Sequence, residues 1–302
     1  MQITQKLRPL IEKELGNVLI IGCLTLMYAP ILLHWVDGWL NKNINTEHEY
    51  FSHGLIGLPY AAYLVFNQNS KEWENLDNKI HPLGGFLLGV GIVFYITGSI
   101  ELVNLSFPII LGGILLWLKG MPGLKLNSFP LLLVLLATPN SIPYLLTPYT
   151  LPLQKFIAGA AGFILMQFGA NVNVDGIYLY VNNIPVEVAP YCAGLKMLFT
   201  GLYVSLLLLH WSGKIDDKKR VISLSISAVF ISVITNIIRN SLLAMFHGTG
   251  NKQAFDSLHE GTGGDIYSVI MLGIIVGVNW LMDKISIKSQ ESLELERENS
   301  HE

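Results

Sequence analysis

Long stretches of this chain contain no charged residue, among them Leu83 to Ile100, Val221 to Ile238 and Ile266 to Met282. Runs of about 18 or more apolar residues are long enough to cross the hydrocarbon core of a bilayer. A chain that builds several such runs is committed to a membrane. Composition agrees: 51% of the residues are hydrophobic and 14% are charged, where a soluble domain carries about 25% charged residues. The sequence therefore predicts an all-α polytopic integral membrane protein. Its required partner is the lipid bilayer. A net charge of −3 gives no reason to expect nucleic acid.

Hydrophobic segments fall at 16–36, 52–67, 83–100, 102–118, 128–146, 152–170, 193–211, 219–246 and 264–283. Polar breakers separate them, and no internal repeat is evident. Lys6, Arg8 and Lys13 precede the first segment, as in a signal peptide. The apolar stretch Asn17 to Trp35 is too long for a signal core and has no clean small-residue cleavage site, so it reads as a retained span. Residues 1–283 read as one transmembrane domain. Residues 284–302, rich in Ser and Glu, read as a polar cytoplasmic tail, a short helix fraying into disorder.

Positive residues set the orientation. Lys214, Lys218, Lys219 and Arg220 place the 212–220 connection in the cytoplasm. The start of the preceding segment, near Cys192, then faces outward, as does the 247–263 connection. The N-terminal basic residues and Lys284 belong inside. Nine full crossings cannot leave both ends inside, so about eight segments cross. The exception is expected at 128–150, where Pro130, Pro139, Pro143 and Pro148 favour a re-entrant or broken element.

Residues 171–189 differ from the rest. Ile177-Tyr-Leu-Tyr-Val181 is β-branched and aromatic, with turn residues at Asp175-Gly176 and Asn182-Asn183. This predicts a small hairpin on the outer surface. It leads directly into Cys192. The other cysteine, Cys23, lies within the first segment, so no disulfide framework is expected. Cys192 follows Pro190 at the start of an apolar run. The first turn of a helix favours a thiolate, through unpaired N–H groups and the helix dipole. The alternative reading of Cys192 is a small packing residue.

Ionisable residues inside spans usually face protein interior or water. Ser232, Asn236, Arg239, Asn240 and His247 recur at helical spacing and share one face of the eighth segment. Arg239 read alone is also compatible with a snorkelling side chain. The next connection holds His247, Asp256, His259, Glu260 and Asp265. None of its histidines has the tight spacing of a zinc pair, so no metal and no cofactor is expected. A further cluster, Glu47 to Gly54, contains His48 and His53 and falls on the same outer face.

These residues resemble the motifs of the exosortases, bacterial membrane enzymes paired with proteins that carry a Pro-Glu-Pro C-terminal sorting signal; archaeosortases are relatives. The similarity spans roughly 47 to 275. Cys192-Ala-Gly-Leu-Lys196 is similar to the family's Cys-Ser-Gly-Leu-Arg. Asn236-Ile-Ile-Arg239 matches Asn-x-x-Arg, His259-Glu-Gly261 matches the family's histidine before a glycine, and Ser52-His53-Gly54 and Pro152-Leu-Gln154 fit as well. The departures are Ala193 for serine and Lys196 for arginine; they leave the nucleophile in place, and the branch expected is the cyanobacterial one.

The resemblance implies a cysteine-type peptidase or transpeptidase in the bacterial cell membrane, with its active site facing outward. Its substrates would be membrane-anchored proteins bearing a C-terminal sorting signal. Cys192, Arg239 and His259 would form the site. Cys192 would be the nucleophile, His259 the general acid–base, and Arg239 the cation that stabilises the oxyanion. His53 and Asn236 would contribute to substrate binding. Two other classes stay open: a secondary transporter, which also uses broken helices and buried charge, and a non-catalytic membrane scaffold.

Overall fold

The computed structural model describes residues 2–41, 49–259 and 261–299. Glu47 and His48 of the early cluster, and Glu260, lie outside the described residues. The chain forms two compact units, 1–140 and 141–302.

In the first unit, α1 (Gln2–Asn41) is followed by a 3-10 turn, Glu49–Phe51, and α2 (Gly54–Tyr63), which continues as a π turn, Leu64–Gln68. Then come α3 (Ser70–Asn75), α4 (Pro82–Ile96), α5 (Ile100–Leu126) and α6 (Ser128–Ala137). His53 lies just before α2, and its Nε2 is 3.1 Å from the Leu136 carbonyl at the end of α6. At the other end of α2, Asn69 Nδ2 donates to Asn127 Oδ1 at 3.1 Å, just before α6 begins. The two helices are therefore antiparallel. α4 packs on α5 at glycine contacts; a Cβ on Gly84 would come within 2.6 Å of the Trp117 backbone nitrogen. Small residues of this kind let membrane helices approach closely.

Polar side chains in this unit join helix to helix. Tyr28 Oη and Ser106 Oγ are 2.7 Å apart, and Trp35 Nε1 donates to Asn104 Oδ1 at 2.8 Å. Asn104 Nδ2 donates in turn to the Pro139 carbonyl at 3.2 Å. Away from water, an unsatisfied polar group is costly, which is why each of these finds a partner.

The second unit opens with α7 (Ile142–Leu146), a 3-10 turn at Thr147–Thr150, and α8 (Leu151–Gln167). The helical run 128–167 is thus broken between Ala137 and Ile142, within the proline-rich stretch. A small antiparallel sheet follows: β1 (Val172–Asp175), β2 (Tyr178–Val181) and β3 (Ile184–Glu187), in the order β1-β2-β3. Both expected turns form, so the element has a third strand beyond a simple hairpin. Asn182 and Asn183 both take positive φ, 52° and 66°, as a tight two-residue turn requires. Leu179 and Val181 are buried while Tyr178 is exposed, the alternation of a strand with one face on a core. That core includes Ile157, Ala161 and Leu165 of α8.

α9 (Leu195–Trp211), α10 (Lys218–Gly248), α11 (Lys252–His259) and α12 (Thr262–Asn299) complete the unit. Asp217 caps α10 by accepting from the Lys219 and Arg220 amides. Arg220 Nη2 also donates to Asp283 Oδ1 at 2.6 Å. This ion pair ties the start of α10 to the middle of α12.

Among the described residues, four helices are long and apolar enough to cross a membrane: Val18–Leu40, Ile100–Leu126, Lys218–Gly248 and Gly263–Ser286. The broken run from Ser128 to Gln167 makes up to five. Pro82–Ile96 and Leu195–Trp211 are apolar but shorter.

Candidate active site

Cys192 lies in a 3-10 turn, Pro190–Ala193, ahead of α9. It is not in the first turn of that helix, which begins at Leu195. Gly194 causes the offset. Its φ of 85° is left-handed, and a Cβ there would lie 2.7 Å from Asn236 Nδ2, so this position needs glycine.

The turn is held from several sides. The Cys192 amide donates to the Ala189 carbonyl at 2.8 Å. The Cys192 carbonyl accepts from two side-chain amides of α10, Asn236 Nδ2 at 2.9 Å and Asn240 Nδ2 at 3.2 Å. These asparagines are four residues apart and so share a helix face. Ser232 Oγ, one turn earlier on that face, donates to the Met197 carbonyl of α9 at 3.3 Å. On the upstream side, Gln154 Nε2 of α8 donates to the Val188 carbonyl at 3.0 Å.

Cys192 is 6% exposed and borders a cavity of about 250 Å3. The other walls are Pro185, Val186 and Glu187 of β3, Asn240, Leu243 and His247 of α10, and Phe255 and His259 of α11. His259 ends α11, and its ring stacks on Phe255 with centroids 5.2 Å apart and planes 11° apart. Residues four apart on a helix meet in this way. Phe255 also contacts the His247 ring at 5.2 Å. Arg239 Nη2 donates to the carbonyls of His259, at 3.2 Å, and Leu258, at 3.5 Å. Those carbonyls close the last turn of α11, so α10 fixes the backbone that carries the histidine. Arg239 Nε is buried with no partner among the described residues.

A thiol and an imidazole thus share one cavity, each mounted on backbone that α10 holds. That is the minimum equipment for nucleophilic acyl transfer. His53 belongs to the first unit, where it is 4% exposed and its ring lies 6.0 Å from that of Phe51. Among the described residues, no three His, Cys, Asp or Glu side chains gather as a metal site. The sequence marks Asn240 on the polar face of α10 without assigning it a part in the site; the geometry gives it the Cys192 carbonyl. Glu187 and Phe255 carry no local signal, because only the folded chain brings them to the cysteine.

No curated protein and no solved structure matches the chain. The family model described as transmembrane exosortase (Exosortase_EpsH) matches residues 39–276. That stretch contains the Cys192 turn, the asparagine–arginine face of α10 and His259, and covers most of the protein: the chain belongs to the transmembrane exosortase family.

Proposed function

We propose that this protein is a thiol protease or transpeptidase that cleaves C-terminal sorting signals, of the Pro-Glu-Pro type or a variant, from exported membrane-anchored proteins. The observation that carries this reading is the shared cavity of Cys192 and His259. His259 takes the thiol proton, and the sulfur attacks the scissile carbonyl carbon. The carbon–nitrogen bond breaks, the proton passes to the leaving amine, and a thioester remains on Cys192. Water or an acceptor amine then releases the product. Arg239 holds the turn that carries His259. Arg239 is not among the cavity walls, so the oxyanion role expected from the sequence requires a guanidinium donor other than the one bonded to those carbonyls to reach the substrate carbonyl.

About eight segments cross the bacterial cell membrane in this reading, and the cavity faces outward. α10 has 31 residues, about 46 Å at 1.5 Å per residue, against a hydrocarbon core of about 30 Å. Its end therefore projects from the bilayer. Asn240 lies about 12 Å below that end, which supports a cysteine near the lipid–water boundary.

The test is mass spectrometry of membrane proteins from wild-type and Cys192→Ala cells. The variant should accumulate proteins that keep a C-terminal span and basic tail, and the wild type should shorten them by about 20 residues or more. Identical C-termini in both strains would remove the peptidase reading and favour a transporter.

A further inference from the structure

β3 is the outer strand of the sheet, with β2 as its neighbour. Ile184, Pro185 and Glu187 are exposed. Pro185, Val186 and Glu187 are consecutive, and all three line the cavity that holds Cys192. Successive side chains leave a strand on opposite faces. A cavity touched by all three therefore runs along the edge of the strand and not across one face.

The register shows what that edge offers. The Val188 amide donates to the Ile177 carbonyl, and antiparallel pairs alternate between bonded and non-bonded. Leu179–Val186 is then a bonded pair, while Tyr178–Glu187 and Tyr180–Pro185 are not. Pro185 agrees with this phase, since it has no N–H to give and the ladder asks for none there. The Glu187 N–H, the Glu187 carbonyl and the Pro185 carbonyl consequently point away from β2, toward the cavity. An open edge of this kind is a template for another strand.

We propose that this edge is the docking site for the substrate, whose segment around the scissile bond adds to β3 as a further strand. The inference rests on the peptidase reading above. Attack by the Cys192 sulfur needs a carbonyl that is extended and accessible, whereas a helical carbonyl is bonded to its own chain. Pairing with β3 holds the backbone extended beside the thiol. Main-chain bonds supply affinity without fixing sequence, and the alternate side chains are left to meet walls such as Leu243 and Phe255.

Substrates for the test are the cell's own single-span proteins that lose their C-terminal span in wild-type cells and keep it in Cys192→Ala cells. If there are none, the peptidase reading fails and the docking inference falls with it. Where they exist, processing rates are compared in Glu187→Pro and Glu187→Ala. Proline removes the outward N–H while leaving the ladder to β2; alanine removes the side chain and keeps the N–H. The proline variant should process at least ~10-fold more slowly than the alanine variant, the scale of one lost hydrogen bond. Equal rates would overturn strand docking and leave the peptidase reading standing. A second measurement does not depend on how well the proline variant folds. In Glu187→Cys with Cys192→Ala, disulfide capture of cysteines scanned along the substrate segment should recur with a period of two. Capture at every position, or at none, would also overturn the proposal.

Discussion

The two units use buried polar groups in opposite ways. In the first, Tyr28–Ser106 and Trp35–Asn104 join helix to helix, with no cysteine among them. In the second, Asn236 and Asn240 converge on the carbonyl of a cysteine that borders a cavity. Both arrangements satisfy the demand that polar groups find partners away from water. The difference lies in what is held: a helix packing in one case, the backbone of a cysteine beside a cavity in the other. Polarity inside a membrane segment therefore does not by itself mark a site. Convergence on a cysteine that borders a cavity is what sets the second arrangement apart.

This contrast predicts a graded series of losses. Short of removing the Cys192 thiol itself, the largest is at Arg239. Lysine keeps the charge but loses the planar fork of donors, so Arg239→Lys should lower turnover by about 100-fold, the scale of a removed oxyanion donor, with normal protein levels in the membrane. Near-wild-type turnover would reduce Arg239 to a counter-charge. Next is Asn240→Leu, which leaves the Cys192 carbonyl with Asn236 alone. Turnover should fall by about 10-fold, as expected for one hydrogen bond, and thiol accessibility to a maleimide should change with it. A turnover loss with unchanged labelling would mean that Asn240 acts on substrate and does not position the turn. The smallest effect on chemistry is expected from Asn104→Leu in the first unit. It should lower thermal stability by about 1–3 kcal/mol, because Trp35 Nε1 and the Pro139 carbonyl lose their partner. Activity per folded molecule should hold. A selective loss of turnover there would break the division between the two units.

Much of this was legible in the chain. The polar face of α10 follows from the spacing of Ser232, Asn236, Arg239 and Asn240, because helical period is a local property. The tight turns of the sheet follow from Asp175-Gly176 and Asn182-Asn183 for the same reason. The start of α9 was misplaced. Pro190 and Gly194 both occur commonly at helix beginnings, and the left-handed φ of Gly194, packed against the Asn236 side chain from some forty residues away in the chain, is set by tertiary packing. The cavity was not legible either: Glu187, Leu243 and Phe255 meet Cys192 through tertiary packing that no short window contains. The sequence also suggested more full-length spans than helix length and hydropathy support, because α4 and α9 are apolar but short.

The central claim is that Cys192 carries the substrate as a thioester. Hydroxylamine tests it most directly, since it cleaves a thioester to a hydroxamate. Membranes from wild-type, Cys192→Ala and Cys192→Ser cells would be treated with hydroxylamine during processing, and the new C-termini read by mass spectrometry. The account predicts substrate fragments ending in a hydroxamate in the wild type and none in either variant, because a serine hydroxyl lacks the acidity that makes a thiol nucleophilic. Wild-type processing that yields no hydroxamate, or equal processing by Cys192→Ala, would contradict it.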